Sequence, residues 1–138
     1  MGGVPRVLVS FVFEDSGTQE LVSVTLFECG GKRHLNYLYT SLERDEAVFM
    51  EVTNLRISVR RDERGGMLML DLRGVTFPEG ERKRVDVMIP FLDFEFLETD
   101  VGAERVAFRA DTYEDAFAYG VLSGEVLDEV RAALALAR

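Results

Sequence analysis

Residues 19–40 read QELVSVTLFECGGKRHLNYLYT, and apolar side chains alternate on both sides of the central Gly30-Gly31 pair. Val22, Val24 and Leu26 precede it; Leu35, Tyr37 and Tyr39 follow it. A period of two marks a strand with one buried face. Two consecutive glycines suit the central positions of a tight hairpin, where φ is positive and a Cβ would clash. That turn sets one register. Cys29 stands opposite Lys32 and Glu28 opposite Arg33. Leu26 then meets Leu35, Val24 meets Tyr37 and Val22 meets Tyr39, all on one face.

The same pattern extends outward in both directions. Residues 4–14 carry Val7, Val9, Phe11 and Phe13 on one face, and Asp15-Ser16-Gly17-Thr18 supplies a turn. Placing Glu14 opposite Gln19 pairs Phe11 with Val22, Val9 with Val24 and Val7 with Leu26. Downstream, residues 41–46 lead to a fourth strand. Placing Thr40 opposite Ala47 pairs Tyr39 with Val48, Tyr37 with Met50 and Leu35 with Val52. The apolar set then switches from Val48, Met50 and Val52 to Leu55, Ile57 and Val59. A change from even to odd positions predicts a β-bulge near Thr53-Asn54.

Residues 61–66 turn this strand back, so that Leu55 meets Leu72, Ile57 meets Leu70, Val59 meets Leu68 and Arg56 faces Asp71. A sixth strand over 83–98 points Val85, Val87 and Ile89 inward, then Leu92, Phe94 and Phe96. The phase change is expected at Pro90, which has no N–H for the ladder. Thr99–Ala103 fits a hairpin with Gly102 left-handed. It brings Phe96 to Val106, Phe94 to Phe108 and Leu92 to Ala110.

Beyond Ala110 the spacing turns helical. Asp111 and Glu114 resemble a capping box. Tyr113, Phe117 and Val121 lie at i, i+4 and i+8. Ser123 is placed to cap a second helix over about 124–137, with Leu127, Val130 and Leu134 on one stripe. The expected fold is mainly β. A seven-stranded antiparallel up-and-down meander over 1–110 closes as a barrel or folds as a sandwich, and a helical cap of one or two helices follows over 111–138. Residues 1–138 form a single domain.

With 138 residues, 47% of them apolar, the chain can bury a core without a disulfide or a metal. One Cys excludes an internal disulfide framework and a Cys-based zinc cluster. The net charge of −9 repels phosphate backbones and anionic lipid, which argues against nucleic-acid and membrane partners. Residues 1–10 lack a secretory pattern, and Arg6 stands where a myristoylation site has Ser or Thr. No apolar run approaches the ~18 residues needed to span a membrane. A cytoplasmic location is the expectation. Arg outnumbers Lys 14 to 2, a bias that suits a thermophile or a GC-rich genome.

No catalytic constellation, metal site or cofactor motif emerges. Cys29 and His34 are diagonal neighbours in the hairpin, but no third group orients the imidazole. Most carboxylates face an Arg across the ladder, as Arg56 faces Asp71, which is ordinary solvent-face pairing. Such acids make poor metal ligands. Two basic clusters, Arg60, Arg61 and Arg64, and Arg82, Lys83 and Arg84, fall at opposite ends of the fifth strand. Exposed aromatics for base stacking are not evident beside them.

The aromatic and methionine residues remain. Tyr37, Tyr39, Met50, Phe94 and Phe108 project inward and either fill a core or line an apolar ligand cavity. Met69 and Met88 fall on the charge-bearing face and Phe91 on the phase change; together they suggest a patch that a second subunit covers. The sequence thus predicts a non-enzymatic binding or assembly module that self-associates. The alternatives are a carrier of a small apolar molecule and a small barrel-type enzyme.

Overall fold

The computed structural model describes residues 4–97, 105–112 and 115–137. The hairpin expected at Thr99–Ala103 lies outside them, as do Tyr113 and Glu114 of the expected capping box. The strands are β1 (Arg6–Asp15), β2 (Glu20–Cys29), β3 (Lys32–Thr40), β4 (Asp45–Arg61), β5 (Gly66–Thr76), β6 (Arg82–Phe91), β7 (Asp93–Leu97), β8 (Arg105–Asp111) and β9 (Ala116–Ser123). One helix, α1 (Gly124–Leu136), ends the chain. All paired strands are antiparallel, in a nine-stranded sheet of order β6-β5-β4-β3-β2-β1-β9-β8-β7.

The fold class holds as mainly β with an antiparallel meander and a C-terminal helix. Two details are corrected: the described residues form nine strands rather than seven, and the sheet is not a closed barrel, with β6 and β7 at its edges. Of the one or two helices expected, the described residues contain one.

The extra strands have physical causes. The expected sixth strand breaks at Leu92, whose N–H donates to the Asp111 carbonyl 2.7 Å away. That one residue carries the chain from the β6 edge to the β7 edge. The phase changes there and not at Pro90: Val85, Val87, Ile89 and Phe91 are all buried and Leu92 is exposed. The segment expected as a first helix is strand β9. Its inward residues are small, Ala116, Ala118 and Gly120, while Phe117, Tyr119 and Val121 alternate with them. Gly120 faces Phe11 in the β1 ladder. A Cβ on Gly120 would stand 2.6 Å from Phe11 Cα and closer still to Phe11 Cβ and the Ser10 carbonyl oxygen. The close approach of the β1 backbone thus requires a hydrogen at this position.

Two hairpin registers stand as expected and three are shifted. Gly30 and Gly31 adopt φ of 61° and 79°, and the β2–β3 pairs are those expected, Val24 opposite Tyr37 among them. The β4–β5 pairs also stand as expected, with Ile57 opposite Leu70 and the bulge between Val52 and Asn54. The other three hairpins each move the register by two residues. Phe11 meets Val24 and Val9 meets Leu26. Leu35 meets Met50 and Tyr37 meets Val48. Phe96 meets Phe108 and Phe94 meets Ala110. A shift of two preserves the inward face; the exception is Val7, expected inward, which a bulge at Leu8 leaves exposed while Leu8 is buried. In two of them a side chain organises the turn. Asp15 Oδ1 accepts the N–H of Gly17 (3.0 Å) and of Thr18 (3.1 Å), so β1 runs on to Asp15 opposite Glu20. Ser41 Oγ accepts the N–H of Glu43 and of Arg44, both at 3.2 Å, so β4 begins at Asp45 opposite Thr40.

The inner face of the sheet forms one core, and α1 packs on it through Val126, Leu127 and Val130. Each of these contributes about 1.5–3 kcal/mol on full burial. Polar contacts fix the orientation of the helix. Arg33 pairs with Glu125 at 2.7 Å, and Arg61 donates to the Leu134 carbonyl at 3.3 Å. Ser123 precedes the helix but does not cap it with its side chain; its hydroxyl donates to the Val7 carbonyl instead.

Candidate functional site

The residues expected around a cavity fall into two groups on the inner face. Phe94 stacks on Phe108 at 5.2 Å and 4° between planes, and meets Phe91 and Phe96 edge-on at 5.5 and 5.3 Å. Phe11 closes on Phe108 at 6.2 Å. These rings occupy one another's space. Tyr37 and Tyr39 lie half-buried on β3, with Met50 buried on β4 diagonal to Tyr37. The Arg44 guanidinium sits 4.7 Å from the Tyr39 ring centre. Burial, and next the nearby Glu46 carboxylate, raises the Tyr37 hydroxyl above its ordinary pKa of 10.0; Arg44 acts in the opposite sense.

The expected interface residues separate as well. Met69 and Met88 are direct partners in the β5–β6 ladder, and Met88 is exposed. Phe91 does not join them: it is buried in the core, with the Arg61 guanidinium 5.8 Å from its ring centre. Among the described residues no group of three or more His, Cys, Asp or Glu is arranged to hold a metal ion.

The outer face carries a feature the sequence reading passed over. Phe27 and His34 are ladder partners and stack at 5.3 Å. His34 lies parallel to Phe49 at 6.1 Å and 6°, and Phe49 meets Phe77 edge-on at 6.2 Å. Four rings thus run across β2, β3, β4 and the turn after β5. The turn is held in place by several bonds. Phe77 N–H donates to the Phe49 carbonyl at 3.0 Å, Thr76 N–H to the Glu81 carbonyl at 2.8 Å and Glu81 N–H to Thr76 Oγ1 at 3.1 Å. Phe77 is 69% exposed and Phe49 40%, values far from those of core rings.

The rings border an open groove of about 450 Å³ lined by His34, Phe49, Val75, Phe77 and Pro78, with Lys32 and Glu51 on its margin. Lys32 and Glu51 approach to 3.8 Å. Val75 also lines a second cleft of about 680 Å³, whose other walls are Thr53, Arg73, Gly74, Arg82, Lys83 and Arg84. The ladders account for this adjacency. His34 faces Glu51, Glu51 faces Val75 and Val75 faces Arg82. Arg73 and Arg84, also direct partners, share Asp71 at 3.5 and 3.3 Å. Arg82 forms no ion pair among the described residues.

Exposed aromatics therefore do stand beside the Arg82–Arg84 cluster. The available signal was off-phase apolar residues. Phe27 directly follows Leu26, and Phe49 sits between Val48 and Met50, so alternation alone sends both rings outward. The fold and this surface define an open nine-stranded antiparallel sheet with an aromatic outer groove. No protein-family model, curated protein or solved structure matches the chain.

Proposed function

We propose that this protein is a non-enzymatic binding module that recognises its ligand on the outer face of β2–β5. The observation that carries this reading is the four-ring row of Phe27, His34, Phe49 and Phe77, half exposed beside an apolar groove. A clustered, solvent-facing set of rings on a sheet is costly to leave bare, and rings supply flat area for stacking. The inner face offers less support for a carrier, since Phe94, Phe108, Phe11, Phe91 and Phe96 pack on one another. The test is a titration of the labelled protein with neutral aromatic fragments such as indole, followed by amide NMR. Shifts centred on His34, Phe49 and Phe77 that vanish in an F49A/F77A double variant support the reading. Shifts centred on the inner face, or none, reject it.

Self-association is a second reading, favoured by the Met69–Met88 pair next to the β6 edge of the sheet. Light scattering behind a sizing column tests it. A dimer that M88K converts to monomer supports this reading, and a wild-type monomer at every working concentration rejects it.

A further inference from the structure

The groove and the cleft form one surface of two chemistries. Rings line one side, guanidinium groups line the other, and Val75 belongs to both. Adjacent strands lie about 4.8 Å apart and residues rise about 3.3 Å each, so Phe49 on β4 and Arg82 on β6, two strands over and two residues along, are about 12 Å apart at the backbone. That span matches one aromatic base joined through a sugar to one phosphate. The charge pattern points the same way. The chain carries a net charge of −9, yet this cleft gathers four cations. Three already have carboxylate partners: Arg73 with Asp71, Arg84 with Asp71 and Asp86 (3.2 Å), and Lys83 with Glu46 (3.7 Å). Arg82 is exposed and forms no ion pair among the described residues, so an incoming anion displaces no carboxylate from it.

We propose that the outer face binds a phosphorylated aromatic compound of mononucleotide size, with its ring system against His34, Phe49 and Phe77 and its phosphate on Arg82. The inference rests on the outer-face reading above and adds the class of ligand. Ring stacking supplies tolerance for different bases, and arginine supplies charge-assisted, fork-shaped hydrogen bonds to phosphate oxygens. A polymer is disfavoured. A long polyphosphate chain meets the −9 field of the whole protein, whereas one phosphate meets mainly its local arginines.

Calorimetry with the full chain tests this, using adenosine 5′-monophosphate, adenosine and inorganic phosphate at low and at physiological salt. The monophosphate is expected to bind about tenfold more tightly than adenosine, because hydrogen bonds to a charged group are at stake. Its affinity falls as salt rises, while that of adenosine stays constant. R82Q, which removes no ion pair, lowers monophosphate affinity and leaves adenosine binding unchanged; F49A/F77A weakens both. Equal binding of adenosine and its monophosphate overturns the inference but leaves the outer-face reading intact. Inorganic phosphate binding as tightly as the monophosphate overturns it too, because the rings are then idle. Oligoadenylate binding far more tightly than the monophosphate overturns it in favour of a single-stranded nucleic acid. If none of these ligands binds, the inference fails, and the indole titration decides separately whether the outer-face reading fails with it.

Discussion

Replacing Gly120 by alanine separates two structures that the sequence alone leaves in competition. In a helix, Gly→Ala raises stability by about 1 kcal/mol, because glycine has the larger entropy to lose. In strand β9 the added methyl meets Phe11 Cα at 2.6 Å, and lies closer still to Phe11 Cβ and the Ser10 carbonyl oxygen. Two of these three atoms are backbone, so no rotamer change relieves the clash. Overpacking costs about 1–3 kcal/mol, and a clash against backbone belongs at the upper end, about 3 kcal/mol. For a domain of this size that corresponds to a melting temperature lower by about 10 °C. Urea unfolding followed by far-ultraviolet circular dichroism measures the change, provided the slope with denaturant is unaltered. An unchanged or more stable G120A protein refutes the placement of β9 beside β1.

Further outcomes follow from the core and from two titrating groups. F108A removes a fully buried ring that contacts Phe94 and Phe11, and loses about 3–5 kcal/mol in urea unfolding, whereas M88A on the outer face stays within about 0.5 kcal/mol. Tyr37 has its pKa raised above the unfolded value of 10.0, chiefly by burial, so its stabilising contribution is complete below pH 10 and is lost as pH rises through the folded pKa. Ultraviolet titration shows Tyr37 ionising above pH 10, an ionisation that Y37F removes, and Y37F loses stability less steeply between pH 10 and that folded pKa. Asp62 has its carboxyl held below the ordinary 3.8 by the backbone N–H groups of Arg64 and Gly65. Its contribution is present above pH 3.8 and is lost as pH falls through the lower folded pKa, so D62A speeds amide exchange at Arg64 and Gly65 at neutral pH. Wild-type protein shows that change only in stronger acid.

Alternation made the inward face of β1 to β5 legible, because a side chain's face depends only on whether its position is odd or even. Register was legible at Gly30-Gly31 and across Asp62–Gly65. It slipped by two at the Asp15 and Ser41 turns, although the Asp62 turn carries the same kind of side-chain hydrogen bonds and was placed correctly. Alternation repeats every two residues, so it fixes the face and leaves a slip of two undetected. Strand β9 was hidden because its inward residues before Leu122 (Ala116, Ala118 and Gly120) are smaller than the outward Phe117, Tyr119 and Val121, the reverse of the usual pattern. Its odd-numbered Phe117 and Val121 fit a helical spacing and a strand face equally. The outer groove was missed for a related reason. Reading one face as core makes the other a default surface, and only ladder neighbours reveal that Phe27, His34 and Phe49 line up there.

Whether recognition takes place outside the sheet can be read ring by ring. The chain has ten phenylalanines, and fluorine-labelled phenylalanine gives each a resonance that single substitutions to tyrosine or leucine assign. On titration with adenosine 5′-monophosphate, Phe27, Phe49 and Phe77 are predicted to shift while Phe94 and Phe108 hold their positions. Movement of Phe94 and Phe108, with Phe49 and Phe77 unchanged, would place the ligand inside the sheet and contradict outer-face binding.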